Sequence, residues 1–192
     1  GTAVESSLGG GASVGGALVF ATSASGAGGP AIGRALSERW PTARLVGTSF
    51  EGVVAEGRVF RDEPAAGIVA WAQGADEPIP LLLESDAFEV GPDATDDLEH
   101  LILSSANRDV LAEEDLVLLF PDSLASGGIE AALAEVVPRL GHPVIAGAGA
   151  SGIAGAPCQA WASENLELGH TIGLFVAGGG GPKGAFLDRA GA

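Results

Sequence analysis

Two glycine-bounded hexads, Gly47-Thr48-Ser49-Phe50-Glu51-Gly52 and Gly147-Ala148-Gly149-Ala150-Ser151-Gly152, stand 100 residues apart, each at the end of a short apolar run. What precedes them matches as well. The runs ALVFAT (17–22) and DLVLLF (115–120) have the length and composition of buried strands, and Phe20 and Phe120 share the same separation of 100. Each run leads into a helical pattern. Ile32, Ala35 and Leu36 recur at helical spacing within 29–39, with Pro30 near the start and Pro41 just past Trp40, and 129–137 is amphipathic up to Pro138. Strands at 43–46 and 143–146 then run into the hexads, which read as Gly-rich turns. Downstream, Ile68-Val69-Ala70-Trp71 resembles Leu174-Phe175-Val176-Ala177 at a spacing drifted to 106. The pattern implies an internal duplication of a strand, helix, strand, Gly-turn, strand, strand unit, with pseudo-repeats at about 17–84 and 115–177.

This grammar predicts an α/β fold of two similar halves, its strands in one or two mixed sheets and its helices packed outside. Between the halves, 78–84 reads as a strand. Asp96 to Leu111 reads as a helix with Leu98, Leu101, Ile102 and Leu111 on one face and Asp96 as its N-cap. Residues 1–16, short and Gly-rich, are expected to form a flexible segment, 17–177 the domain, and 178–192 a Gly-rich tail or linker.

Charge removes several functions. With 9 Lys+Arg against 25 Asp+Glu the net charge is −16, which repels a phosphate backbone, so no nucleic acid partner is expected. Despite that charge, 46% hydrophobic residues and a mean hydropathy of +0.33 are those of a folding chain. No apolar run reaches the length of a membrane span and no signal segment is visible, so a soluble protein with no membrane partner is expected. The lone Cys158 excludes an internal disulfide and suits a reducing cytoplasm. With no methionine, including at position 1, the first residues read as either a processed start or a boundary within a longer chain.

GAGASG is a literal G-x-G-x-x-G, yet a dinucleotide turn must open directly into a helix, and Ile153-Ala154-Gly155-Ala156-Pro157 places Gly and Pro there instead. Two readings stay open for the hexads. Their glycines serve tight turns by adopting positive φ, or they let backbone N–H groups approach a small anion, with Thr48, Ser49 and Ser151 adding hydroxyls. On the second reading the ligand-binding residues are Gly47, Thr48, Ser49, Gly52, Gly147, Gly149, Ser151 and Gly152.

No catalytic constellation, metal set or cofactor motif emerges. Cys158 has no basic neighbour in sequence and reads as an apolar, half-buried cysteine. His100, His142 and His170 are too widely spaced to form a ligand set, and neither hexad is a G-x-S-x-G elbow. The carboxylates at 93–99 and 113–115 read as solvated helix flanks. Trp71 and Trp161 read as core residues, with a pocket wall as the alternative.

The run DLVLLFPDSL, the turn PVIAGAGASGIAG with its following CQAW, and the earlier LVGTSFEGVV together resemble the N-terminal part of the FIST sensory domain, over roughly 17–177. The resemblance implies a non-catalytic, cytoplasmic ligand-sensing module of signal-transduction proteins, binding a small polar molecule such as an amino acid. It also implies a C-terminal FIST half or signalling partner, with self-association as the symptom if an apolar face is left uncovered. Where that family often carries cysteine in the first turn, this chain carries Thr48. The alternative is a protein-interaction scaffold without a small ligand.

Overall fold

In the computed structural model, residues 13–25, 28–55, 58–74, 77–83, 92–122, 129–152, 158–162, 165–168 and 170–178 are described. In chain order the elements are β1 (Val14–Thr22), a 3-10 turn (Ser23–Ser25), α1 (Gly28–Arg39), β2 (Arg44–Phe50), β3 (Val53–Ala55), β4 (Arg58–Phe60), β5 (Ala66–Ala72) and β6 (Ile79–Leu83). There follow α2 (Pro92–Ala106), β7 (Leu116–Phe120), α3 (Ile129–Leu140), β8 (Val144–Gly147), β9 (Gln159–Ala162), β10 (Asn165–Leu168) and β11 (Thr171–Val176).

The strands form a five-stranded sheet of order β10-β9-β2-β1-β5, a four-stranded sheet of order β6-β11-β7-β8, and the separate hairpin β3–β4. In the first sheet β1 runs parallel to β2, across α1, and antiparallel to β5. In the second, β7 runs parallel to β8, across α3, and antiparallel to β11. The run at 68–71 lies in β5, at the end of its sheet beside β1, and Leu174 to Val176 lie in β11, between β7 and β6. The outer cover differs. β2 has the antiparallel β9 on its far side, whereas among the described residues no strand lies beyond β8.

Alternation along the strands builds four layers. Ala17, Val19 and Ala21 of β1 face α1, with Trp40 and Leu45 in one cluster and Trp161 in another. Leu18 and Phe20 point the other way, into a core between the sheets shared with Val46, Trp71, Leu116, Leu118, Phe120, Ile172 and Leu174. Beyond it, Val117, Leu119, Leu81 and Phe175 pack on Leu98 and Ile102 of α2 and on Ala132, Val136 and Leu140 of α3. The mixed α/β class with outer helices is therefore the observed one.

Several boundaries differ from the sequence reading. β1 starts at Val14, inside the segment expected to be flexible, because Gly16 leaves room for the Trp71 indole: a Cβ there would lie 2.4 Å from Trp71 Cζ2. α2 spans Pro92–Ala106 rather than 96–111, and Asn107 leaves it at a φ of 52°, the left-handed turn that ends many helices. Leu111 still joins the same core from the connection that follows. Asp96 is not the N-cap. It lies inside α2 and, with Glu99 at 3.3 Å, accepts from Arg139 of α3, whose guanidinium pKa these two hydrogen bonds raise. Pro138 does not stop α3, which continues to Leu140.

Asp115, read as a solvated flank, is buried. Its Oδ2 accepts from Ala112 N at 2.8 Å and its Oδ1 from Gly178 N at 2.6 Å, tying the entry to β7 to the exit from β11. Asp115→Ala leaves both N–H groups without that acceptor, and a loss of about 2–3 kcal/mol is expected. Chemical denaturation of the two proteins measures it, and a difference under about 0.5 kcal/mol, the range of ordinary surface substitutions, would contradict the assignment.

Candidate functional site

The two hexads meet. Ser49 Oγ donates to Ser151 O at 2.9 Å and accepts from Gln159 N at 2.9 Å. Ser151 N donates to Ser49 O at 3.0 Å, and Ser151 Oγ accepts from Glu51 N at 2.9 Å. These four bonds clamp the end of β2, the bend after it, the segment leaving β8 and the start of β9. Both hydroxyls are thereby committed to the seam itself.

The hexads are not the matched turns the sequence suggested. Gly47 to Phe50 complete β2, and only Glu51 and Gly52 turn; in the second hexad Gly147 ends β8. The positive-φ reading also fails at Gly47, Gly52 and Gly147, none of which has a φ in that range, whereas Gly141, outside both hexads, has a φ of 96°. Close approach is what these positions require. A Cβ on Gly47 would lie 2.3 Å from Trp161 Cζ2, and one on Gly147 would lie 1.7 Å from Leu119 O. Trp161 pairs with Gly47 across β9 and β2, and its indole also covers Gly29 in the first turn of α1, so it is a fully buried core residue. Gly149 is exposed, Gly152 is buried and Gly52 sits half-buried beside Arg61.

Thr48 points into the core between the sheets. It is wholly buried beside its register partner Phe20, and its hydroxyl has no hydrogen-bond partner there. A buried hydroxyl without a partner is costly, so such a group marks either strain or a place for a ligand. Around it Phe20, Phe50 and Phe120, each partly exposed, meet edge to face with centroids 5.1–6.2 Å apart. This trio was legible only as an alignment, in the shared spacing of Phe20 and Phe120. Its convergence needs the sheets stacked.

Beside the seam, Asp122 bridges to Ala150 and accepts from Cys158 N at 3.2 Å; Cys158 Sγ donates to His170 O at 3.4 Å. Cys158 is buried completely rather than half-buried. Neither Asp122 nor His170 had a signal in sequence. The stretch 153–157, on which rejection of a dinucleotide turn rested, lies outside the described residues. His100 and His142 are exposed, and among the described residues no three His, Cys, Asp or Glu side chains are grouped to hold a metal ion. A depression lined by Asp96, Glu99, His100 and Arg108 belongs to α2 and shares no residue with the seam. Among the described residues no helix is long and apolar enough to cross a membrane.

Two stacked mixed sheets with outer helices, joined at the strand ends by a hydroxyl-clamped, aromatic-flanked seam, define a mixed α/β domain. The family model described as the FIST N domain matches residues 17–180, most of the chain, and the chain belongs to that family. The family is one of sensory, non-catalytic domains of signal transduction. A search of curated proteins finds no match.

Proposed function

We propose that the chain is a small-molecule sensing domain whose ligand binds at the seam between β2 and the segment leaving β8. The observation that carries this reading is the unpartnered, wholly buried hydroxyl of Thr48 beneath the partly exposed Phe20, Phe50 and Phe120, next to the Ser49–Ser151 clamp. A small ligand with one apolar group and one polar end, such as an amino acid, satisfies both parts: its apolar group meets the phenyl rings and its polar end meets the Thr48 hydroxyl and the exposed backbone at Gly149. Because the clamp joins the ends of strands from both sheets, a ligand wedged there biases how the sheets sit, which is the physical means of signalling. The attached C-terminal FIST half or a signalling partner would read that change, in the cytoplasm.

A thermal-shift screen against amino acids, short carboxylates and nucleotides tests the reading. At 100 times its dissociation constant a ligand adds about 2.7 kcal/mol, equivalent to roughly 5–10 °C in a domain of this size. One chemical class is expected to give that shift, reduced in Thr48→Val, which keeps the shape and removes the hydroxyl. A flat response from every class would favour a scaffold domain without a small ligand.

A further inference from the structure

The two like units differ at their outer edges. β2 is covered by the antiparallel β9, which belongs to the hairpin of the second unit. Among the described residues β8 has a neighbour on one side only. Val144 N bonds Asp115 O and Ala148 N bonds Leu119 O, so alternate residues of β8 spend their amides on β7, and Ile145 and Gly147 aim theirs outward. Natural edges of this kind are usually guarded by charge or by an outward-facing proline. Residues 144–152 contain neither.

The hairpin β3–β4 holds the place in the first unit that β9–β10 hold in the second, yet it forms a sheet of its own. Its cross-strand pair Val54 and Val59 is 73% and 63% exposed. Among the described residues the large exposed hydrophobics are these two, Val110, and Val144 of β8 itself.

We propose that the chain self-associates by strand addition, the β3–β4 hairpin of one copy pairing with the outer edge of β8 in a second copy. Pairing through β4, whose partner β3 packs against β5 and β1, sets Val59 beside Val144 as a cross-strand neighbour, with Val54 one strand further out on the same face. Within one chain, the equivalent cover of β2 by β9 is the precedent for the geometry.

Sedimentation velocity from about 1 to about 500 μM, a range that brackets micromolar dissociation constants, tests this. The mass of the wild-type chain is expected to rise with concentration. Val59→Lys and Val144→Lys replace exposed side chains, so each is expected to keep its circular dichroism and melting temperature while its dissociation constant rises at least tenfold. An equimolar mixture is expected to recover association, because Val59→Lys retains an intact edge and Val144→Lys an intact hairpin. Hydrogen exchange at Ile145 and Gly147 is expected to slow at high concentration in the wild type alone. A wild type that stays monomeric throughout overturns the proposal. So does association that is lost in Val144→Lys but kept in Val59→Lys, which means that β8 pairs with another β8, and so does association that neither variant weakens.

Discussion

Gly147→Ala is expected to yield a chain without a cooperative unfolding transition. The added Cβ would stand 1.7 Å from the carbonyl oxygen of Leu119, its register partner in β7, and 2.8 Å from the carbonyl carbon. Both are backbone atoms of a central strand, so no side chain can rotate to relieve the overlap. Ordinary overpacking costs about 1–3 kcal/mol because neighbours give way; here the ladder between β7 and β8 must break, and the loss exceeds about 3 kcal/mol. Near-ultraviolet circular dichroism and thermal denaturation read the result. Gly74→Ala is the control, since a Cβ there meets nothing within 4 Å. A stable Gly147→Ala protein would return this glycine to a purely ligand-facing role.

Trp161→Ala is the second large effect, a loss of about 3–5 kcal/mol and on the order of 10 °C in melting temperature. The indole is fully buried among Val19, Ala21, Ile32, Leu36 and Ile68, and it occupies the space that Gly47 and Gly29 leave. Two glycines flank the cavity, so neighbouring side chains cannot collapse into it, which places the loss toward the upper end of that range. Gly47→Ala drives a methyl into the same ring and destabilises as well, but combined with Trp161→Phe it is expected to cost less than the two changes summed, because the smaller ring makes room. Strict additivity in that cycle would mean that Gly47 and Trp161 do not share the space.

These two effects show where the sequence was readable. Local periodicity located α1, α3, β5 and β7, since their apolar spacing is a property of a few consecutive residues. The hexads were legible as special but misread as turns, because glycine in sequence says only that a side chain is missing and not what fills the space: Trp161 for Gly47, the backbone of Leu119 for Gly147. The candidate site divides in the same way. Ser49 and Ser151 stood out by their hexads, while Thr48 facing inward, the meeting of Phe20, Phe50 and Phe120, and the burial of Asp115 and Asp122 arise only from sheet stacking. The sequence by itself determined the longer strands and the helices, the α/β class and the family, all carried by short-range pattern, while β4 and β10 left no sign in it. Only the tertiary structure decided which edge is covered, which glycine is crowded and which hydroxyl is left without a partner, because each depends on residues brought together from distant parts of the chain.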